Sequence, residues 1–237
     1  ISGEGKMSNG NWKSLLRNLW ERDNGTIADP ERVLNEVYQL PKEEDSKKQA
    51  FKFGKAGYQL LIELELGTDF TAYDYIRVDE KGNITHIRNH DVGDGGITIG
   101  VGIYVKDSDR KRIEILEELG VDWKDTTQWV SIEVVEEVFQ KISGEYEKSV
   151  DDVIAKYNLS VSQSQYDALF LMAYNRKKFF NSGGAVDRML SANNSNKSDW
   201  RKAIIDEYKG LDQWNTYGKG WINRTDDMLE LYFEGDY

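Results

Sequence analysis

The side chains in this sequence that could carry chemistry are carboxylates. Glu63 and Glu65 sit in FKFGKAGYQLLIELELG (residues 51–67). The run HDVGDGGITIGVG (residues 90–102) sets Asp91, Asp94 and Thr98 among five glycines. There is no cysteine, so a thiol nucleophile, a disulfide and a cysteine metal site are all excluded. The two histidines, His86 and His90, fall in a strand and a loop, where a spacing of four makes no helical metal face, and they read as surface groups. GDGGITIG is not a dinucleotide fingerprint, because its glycines lead into a strand rather than a helix. No metal and no cofactor is expected.

A pair of carboxylates set apart by their surroundings suits glycoside hydrolysis. One carboxyl, kept protonated, gives its proton to the leaving oxygen; the second, across a cleft, handles water or the developing positive charge. A glutamate near the end of an apolar helix is more often just a solvated face. What raises it here is the order of elements: a glutamate at a helix C-terminus, a glycine-rich turn bearing aspartate, then a threonine on the next strand. Glycine would let such a turn aim a short carboxylate into a groove, and the Thr98 hydroxyl could help to hold a water. Glu63 or Glu65 could be the acid, and Asp94, Asp91 or Asp74 the second carboxylate.

The surrounding elements divide the chain. Residues 1–50 read as a helical annex and linker: apolar positions at helical spacing in residues 11–24, Asp29 and Pro30 as a helix start, and a charged stretch from Lys42. Residues 51–67 predict a helix ended near Gly67. YDYIRVDEKGNITHIRN predicts a hairpin turning at Lys81–Asn83, and GGITIGVGIYV a third strand. From Asp107 the helical period returns, and SVSQSQYDALFLMAYN carries Tyr166, Leu169, Phe170, Ala173 and Tyr174 on one stripe, as a buried central helix would. The last helix is read from NRTDDMLELYF. The expected class is α+β: a small antiparallel sheet lobe and a larger helical lobe with a groove between them.

On these residues the chain resembles the phage-type lysozymes, glycoside hydrolase family 24. LLIELELGTDFTAYD followed by DGGITIGVG is similar to that family's Glu-Gly, Tyr, Asp and Thr-Ile-Gly-x-Gly order. SQSQYDALFLMAYN resembles its central helix, with Asn175 at the asparagine. GGAVDRMLSANNSNKSDWRKAI resembles its next two helices, and GWINRTDDMLELYFEGDY its closing helix, with Arg224 at the arginine. The resemblance covers residues 51–237, read as a lysozyme-like catalytic domain. Two departures stand out. Leu66 separates Glu65 from Gly67, where the family has Glu-Gly. Asp91 and Asp94 lie seven and four residues before Thr98, where the family's spacing is six. The segment HDVGDGGITIGVGI is also similar to chitosanases of the same superfamily, a pattern that singles out Asp94.

The resemblance implies a muramidase that cuts the β-1,4 bond between N-acetylmuramic acid and N-acetylglucosamine of peptidoglycan, with inversion. Glu65 would be the acid, Asp94 and Thr98 would position water, and Asn175 and Arg224 would meet substrate. It implies an endolysin or tail-associated lysin, phage-encoded or secreted, acting on the bacterial cell wall as part of a longer chain or assembly. A chitosanase, or a glycan-binding module without activity, are the other readings. A net charge of -11 argues against nucleic acid, which needs clustered cations, and leans toward the cationic substrate chitosan. No long apolar run or signal-type segment is present, so no membrane partner is expected. Among seven tryptophans, Trp123 and Trp129 are expected to line a groove, whereas Trp12, Trp20, Trp200, Trp214 and Trp221 read as core or interface.

Overall fold

A computed structural model of the protein describes residues 52–67, 73–91 and 95–237. The annex expected over residues 1–50 lies outside the described residues, as does Asp94. The compact unit Lys52–Gly235 is α+β: among the described residues it has seven α-helices and two small antiparallel sheets.

Helix α1 (Lys55–Leu66) comes first, followed by strands β1 (Ile76–Val78) and β2 (Ile84–Arg88), then β3 (His90–Asp91), β4 (Ile97–Ile99) and β5 (Ile103–Val105). Helix α2 (Arg110–Glu118) and strand β6 (Trp129–Ser131) lead into α3 (Ile132–Tyr157) and α4 (Gln163–Asn175). A 3₁₀ turn (Lys177–Phe180) and helices α5 (Ala185–Ser191), α6 (Lys197–Lys209) and α7 (Trp214–Glu234) complete the unit.

The expected hairpin forms from β1 and β2. Asp79 accepts from the backbone N–H groups of Lys81 and Asn83, and Gly82 adopts a φ of 83°, which any other residue there would resist. The expected third strand is not a single strand. GGITIGVGIYV folds back on itself at Gly100–Gly102 into the β4–β5 hairpin, with Thr98 opposite Tyr104 and Ile99 opposite Ile103. This hairpin pairs with β3 in one sheet, while β1, β2 and β6 form the other. Strand β6 is only three residues long, too short a signal alone, and its pairing with β2 decides it.

Helix α4 is the centre of the unit. Residues 166–173 are buried without interruption, with Leu169, Phe170 and Ala173 fully so. Ser162 and Gln165 close a capping box that fixes where the helix starts. SIEVVEEVFQKI and EKSVDDVIAKY form one helix of 26 residues, begun by the Ser131 side chain and ended by Asn158 in the left-handed region. The closing helix starts at Trp214, well before NRTDDMLELYF, because Gly218 and Gly220 blur the helical signal there.

Candidate functional site

Helix α1 is held at both ends by the helical elements. At its start Gly54 offers no side-chain cap. The fully buried Asp167 of α4 substitutes, accepting from Gly54 N–H at 2.9 Å and from Gln163 Nε2 at 2.8 Å. A carboxylate at a helix N-terminus lies where the backbone dipole favours it. The fit is close, since a Cβ on Gly57 would stand 2.8 Å from the Asp167 carboxyl. At the other end Leu66 is buried and Gly67, with φ 74°, ends the helix by donating to Glu63 O at 2.9 Å. The extra Leu66 before the glycine is therefore the apolar residue that seats the last turn.

Glu65 stands in that last turn, its side chain 16% exposed. Arg224 of α7 donates Nη1 to Glu65 Oε1 at 2.8 Å and to Asn175 Oδ1 at 3.2 Å, and Nη2 to Leu64 O at 2.7 Å. One guanidinium thus holds the carboxylate, the asparagine at the end of α4 and a terminal carbonyl of α1. From the sheet side the Gly100–Gly102 turn closes over the carboxyl. A Cβ on Gly102 (φ 79°) would sit 2.6 Å from Glu65 Oε2, so only glycine allows that approach. The turn is fixed by Tyr174, whose hydroxyl donates to Val101 O at 2.7 Å, and by Val135 packed under Gly100.

Burial pushes the Glu65 carboxyl above its ordinary pKa, and Arg224 only partly opposes the shift. Burial also raises Tyr174, with the Glu65 charge adding to it. A dry carboxyl with a raised pKa and fixed orientation can serve as a general acid. Glu63 differs: among the described residues its carboxylate accepts from Gln59 of its own helix, at 3.3 Å. Of the two glutamates, Glu65 has the environment that the chemistry needs.

The sequence-read residues fall into groups. Glu65, Asn175 and Arg224 meet in one hydrogen-bonded cluster. Thr98 lies in the hairpin whose turn covers Glu65, on the strand face opposite Ile97 and Ile99, with His90 and Tyr104 as its cross-strand neighbours. Asp74 is exposed and paired with Arg88 at 3.0 Å, and Asp91 is an exposed strand residue opposite Ile97.

Other assignments change. His90 is half-buried rather than a surface group: its ring stacks on Tyr75 at 4.6 Å, and burial lowers its pKa. Trp123 is only 7% exposed, and the concavity it lines lies away from the Glu65 cluster. Trp129 has the Arg77 guanidinium 3.7 Å above its ring, so neither indole is an open platform. Trp200 is core as read, and Trp221 packs on Tyr208 of α6 from α7, the helix that carries Arg224. Asp227, three residues beyond Arg224, is a carboxylate that sequence reasoning passed over. Burial raises its pKa, helped by the charges of Asp226, Glu230 and Glu63. A concavity of about 590 Å³ lined by Asp107, Glu117, Trp123 and Lys124 contains none of the cluster residues, and its lysine is already paired with Asp107 at 2.7 Å.

No family model matches the chain, and no curated protein or solved structure matches it significantly.

Proposed function

We propose that the chain is a glycoside hydrolase with a lysozyme-like fold, a muramidase that cleaves the β-1,4 bond between N-acetylmuramic acid and N-acetylglucosamine in peptidoglycan. The observation that carries the reading is the Glu65 carboxyl: largely dry, raised in pKa, and clamped between the Gly102 turn and Arg224, which Asn175 also binds. Protonated Glu65 gives its proton to the glycosidic oxygen as the C1–O bond breaks. Arg224 fixes the carboxyl and leaves its other oxygen, Oε2, under the glycine turn. Asp94 and Thr98 hold the water that attacks C1 from the opposite face, giving inversion.

The test offers purified bacterial sacculi and chitosan in parallel to the full chain and to Glu65→Gln, with products identified by mass spectrometry. Muropeptides ending in reducing N-acetylmuramic acid are expected from the parent. Loss of roughly two to four orders of magnitude is expected from Glu65→Gln, the usual contribution of a general acid. Asp94→Asn should be the next most damaging change, and Asp74→Asn nearly silent. Near-normal turnover by Glu65→Gln would refute the assignment.

The net charge of -11 favours a second reading, a chitosanase working on a cationic chain. Chitosan cleavage without muropeptides would decide for it.

A further inference from the structure

We propose that the first half of α7 is an aromatic shelf that binds the N-acetylated glycan strand beside the Glu65 cluster, a subsite that rests on the hydrolase reading above. Trp214, Tyr217, Trp221 and Arg224 follow one another at spacings of three, four and three, which puts them on a single helical face. The stripe is about 15 Å long at 1.5 Å per residue, enough to lie along a short oligosaccharide. Arg224 at its inner end holds Glu65, so the shelf leads directly to the acid.

The rings form one packed surface. Trp221 stacks on Tyr208 of α6 at 4.9 Å, with Trp214 at 6.3 Å and Tyr217 at 6.1 Å from it. Tyr217 is 56% exposed, an unusual position for a large aromatic side chain unless something covers it. Gly218 allows the arrangement, since a Cβ there would come within 3.0 Å of the Trp214 ring.

Gly220 is different. It lies in a helix interior, where glycine is unfavourable, and nothing stands within 4 Å of the Cβ it lacks. The helical period places it beside Arg224 and Tyr217, so it leaves a notch where a ligand can approach the backbone.

A further observation points to a polar occupant. The Tyr208 ring is 2% exposed, yet among the described residues its hydroxyl is buried without a hydrogen-bond partner. Burial raises the Tyr208 hydroxyl, which also feels the charges of Arg224, Arg176, Glu65 and Glu207. An unsatisfied hydroxyl on the ring that Trp221 stacks on suits a sugar, which offers apolar ring faces together with hydroxyl and N-acetyl oxygens. Between Asp212 and Asp226 the segment carries the exposed Lys219 and Arg224, which is paired with Glu65. Lys219 is the cation there that an anionic strand can meet.

The test uses the full chain carrying Glu65→Gln, so that binding is read without turnover. Binding to purified sacculi is measured by co-sedimentation, and to peptide-free glycan strands by tryptophan fluorescence. Tyr217→Ala removes the exposed ring, and Gly220→Gln fills the notch with a better helix former. Each should weaken binding roughly tenfold, as loss of an anchor does, and Gly220→Gln should not lower the thermal midpoint. Binding as tight as the parent's in both variants, or preference of the parent for chitosan over sacculi, would overturn the shelf. Hydrolysis of sacculi by the unmutated chain with KM unchanged in Tyr217→Ala would overturn it too while leaving the function intact. Weakened binding by both variants, with no hydrolysis by the unmutated chain, would support the shelf and remove the hydrolase reading.

Discussion

Arg224→Met should destabilise the fold by an amount that depends on pH, because the arginine is the counter-charge of a carboxylate that burial disfavours. The Arg224 and Glu65 side chains are 22% and 16% exposed, so the pair is mostly shielded from water. Removing one partner of such a pair costs about 3–5 kcal/mol where the other stays charged. At about 2–4 °C per kcal/mol for a domain of this size, the lower figure predicts a fall in Tm of about 6–12 °C at a pH where Glu65 is ionised. Glu65 already titrates above its ordinary value, and losing Arg224, which lowers it, raises it further. A raised carboxyl contributes nothing below its unfolded pKa, where it is protonated in both states. Its destabilisation grows as pH rises from there through the folded value and is constant beyond. The deficit of Arg224→Met should therefore be small in acid, about 1 kcal/mol for the lost contacts to Leu64 and Asn175, and grow as pH rises. Urea unfolding of both proteins at several pH values measures it. A deficit independent of pH, or one that persists unchanged in the Glu65→Gln background, would refute the electrostatic account.

Three other expectations follow from the same contacts. Gly102→Ala should cost about 1–2 kcal/mol for the left-handed backbone and displace the Glu65 carboxyl, so turnover should fall more than the thermal midpoint suggests; unchanged kinetics would show that the turn does not position the acid. Asp167→Asn should destabilise by about 1–3 kcal/mol by weakening the buried contact to Gly54, and amide exchange should be faster at the start of α1 than in α6. Asp187 accepts from Lys156 and Tyr157, which lower its pKa to about 2. Its contribution is present above the ordinary aspartate value and is lost as pH falls toward about 2, so Asp187→Asn should flatten the acid limb of the stability curve.

Much of this was decided by local patterns that can be read along the chain. The apolar stripe of residues 166–174 dictated a central helix, Asp79 and Gly82 dictated the hairpin, and glycine at 67 ended α1 one residue beyond Leu66. These features depend on residues within a few positions of each other, so periodicity and turn chemistry suffice. The class, α+β, followed from them. Which glutamate is dry was beyond the sequence. Glu63 and Glu65 have the same composition around them, and only the arrival of Arg224 from 159 residues away and of Gly102 from the β4–β5 turn separates them. Trp129 misled for the same reason: it lost its open face to Arg77, which reaches it from the neighbouring hairpin. A side chain's chemistry is local, but its pKa and its neighbours come from packing between distant segments, and those only the tertiary structure decided.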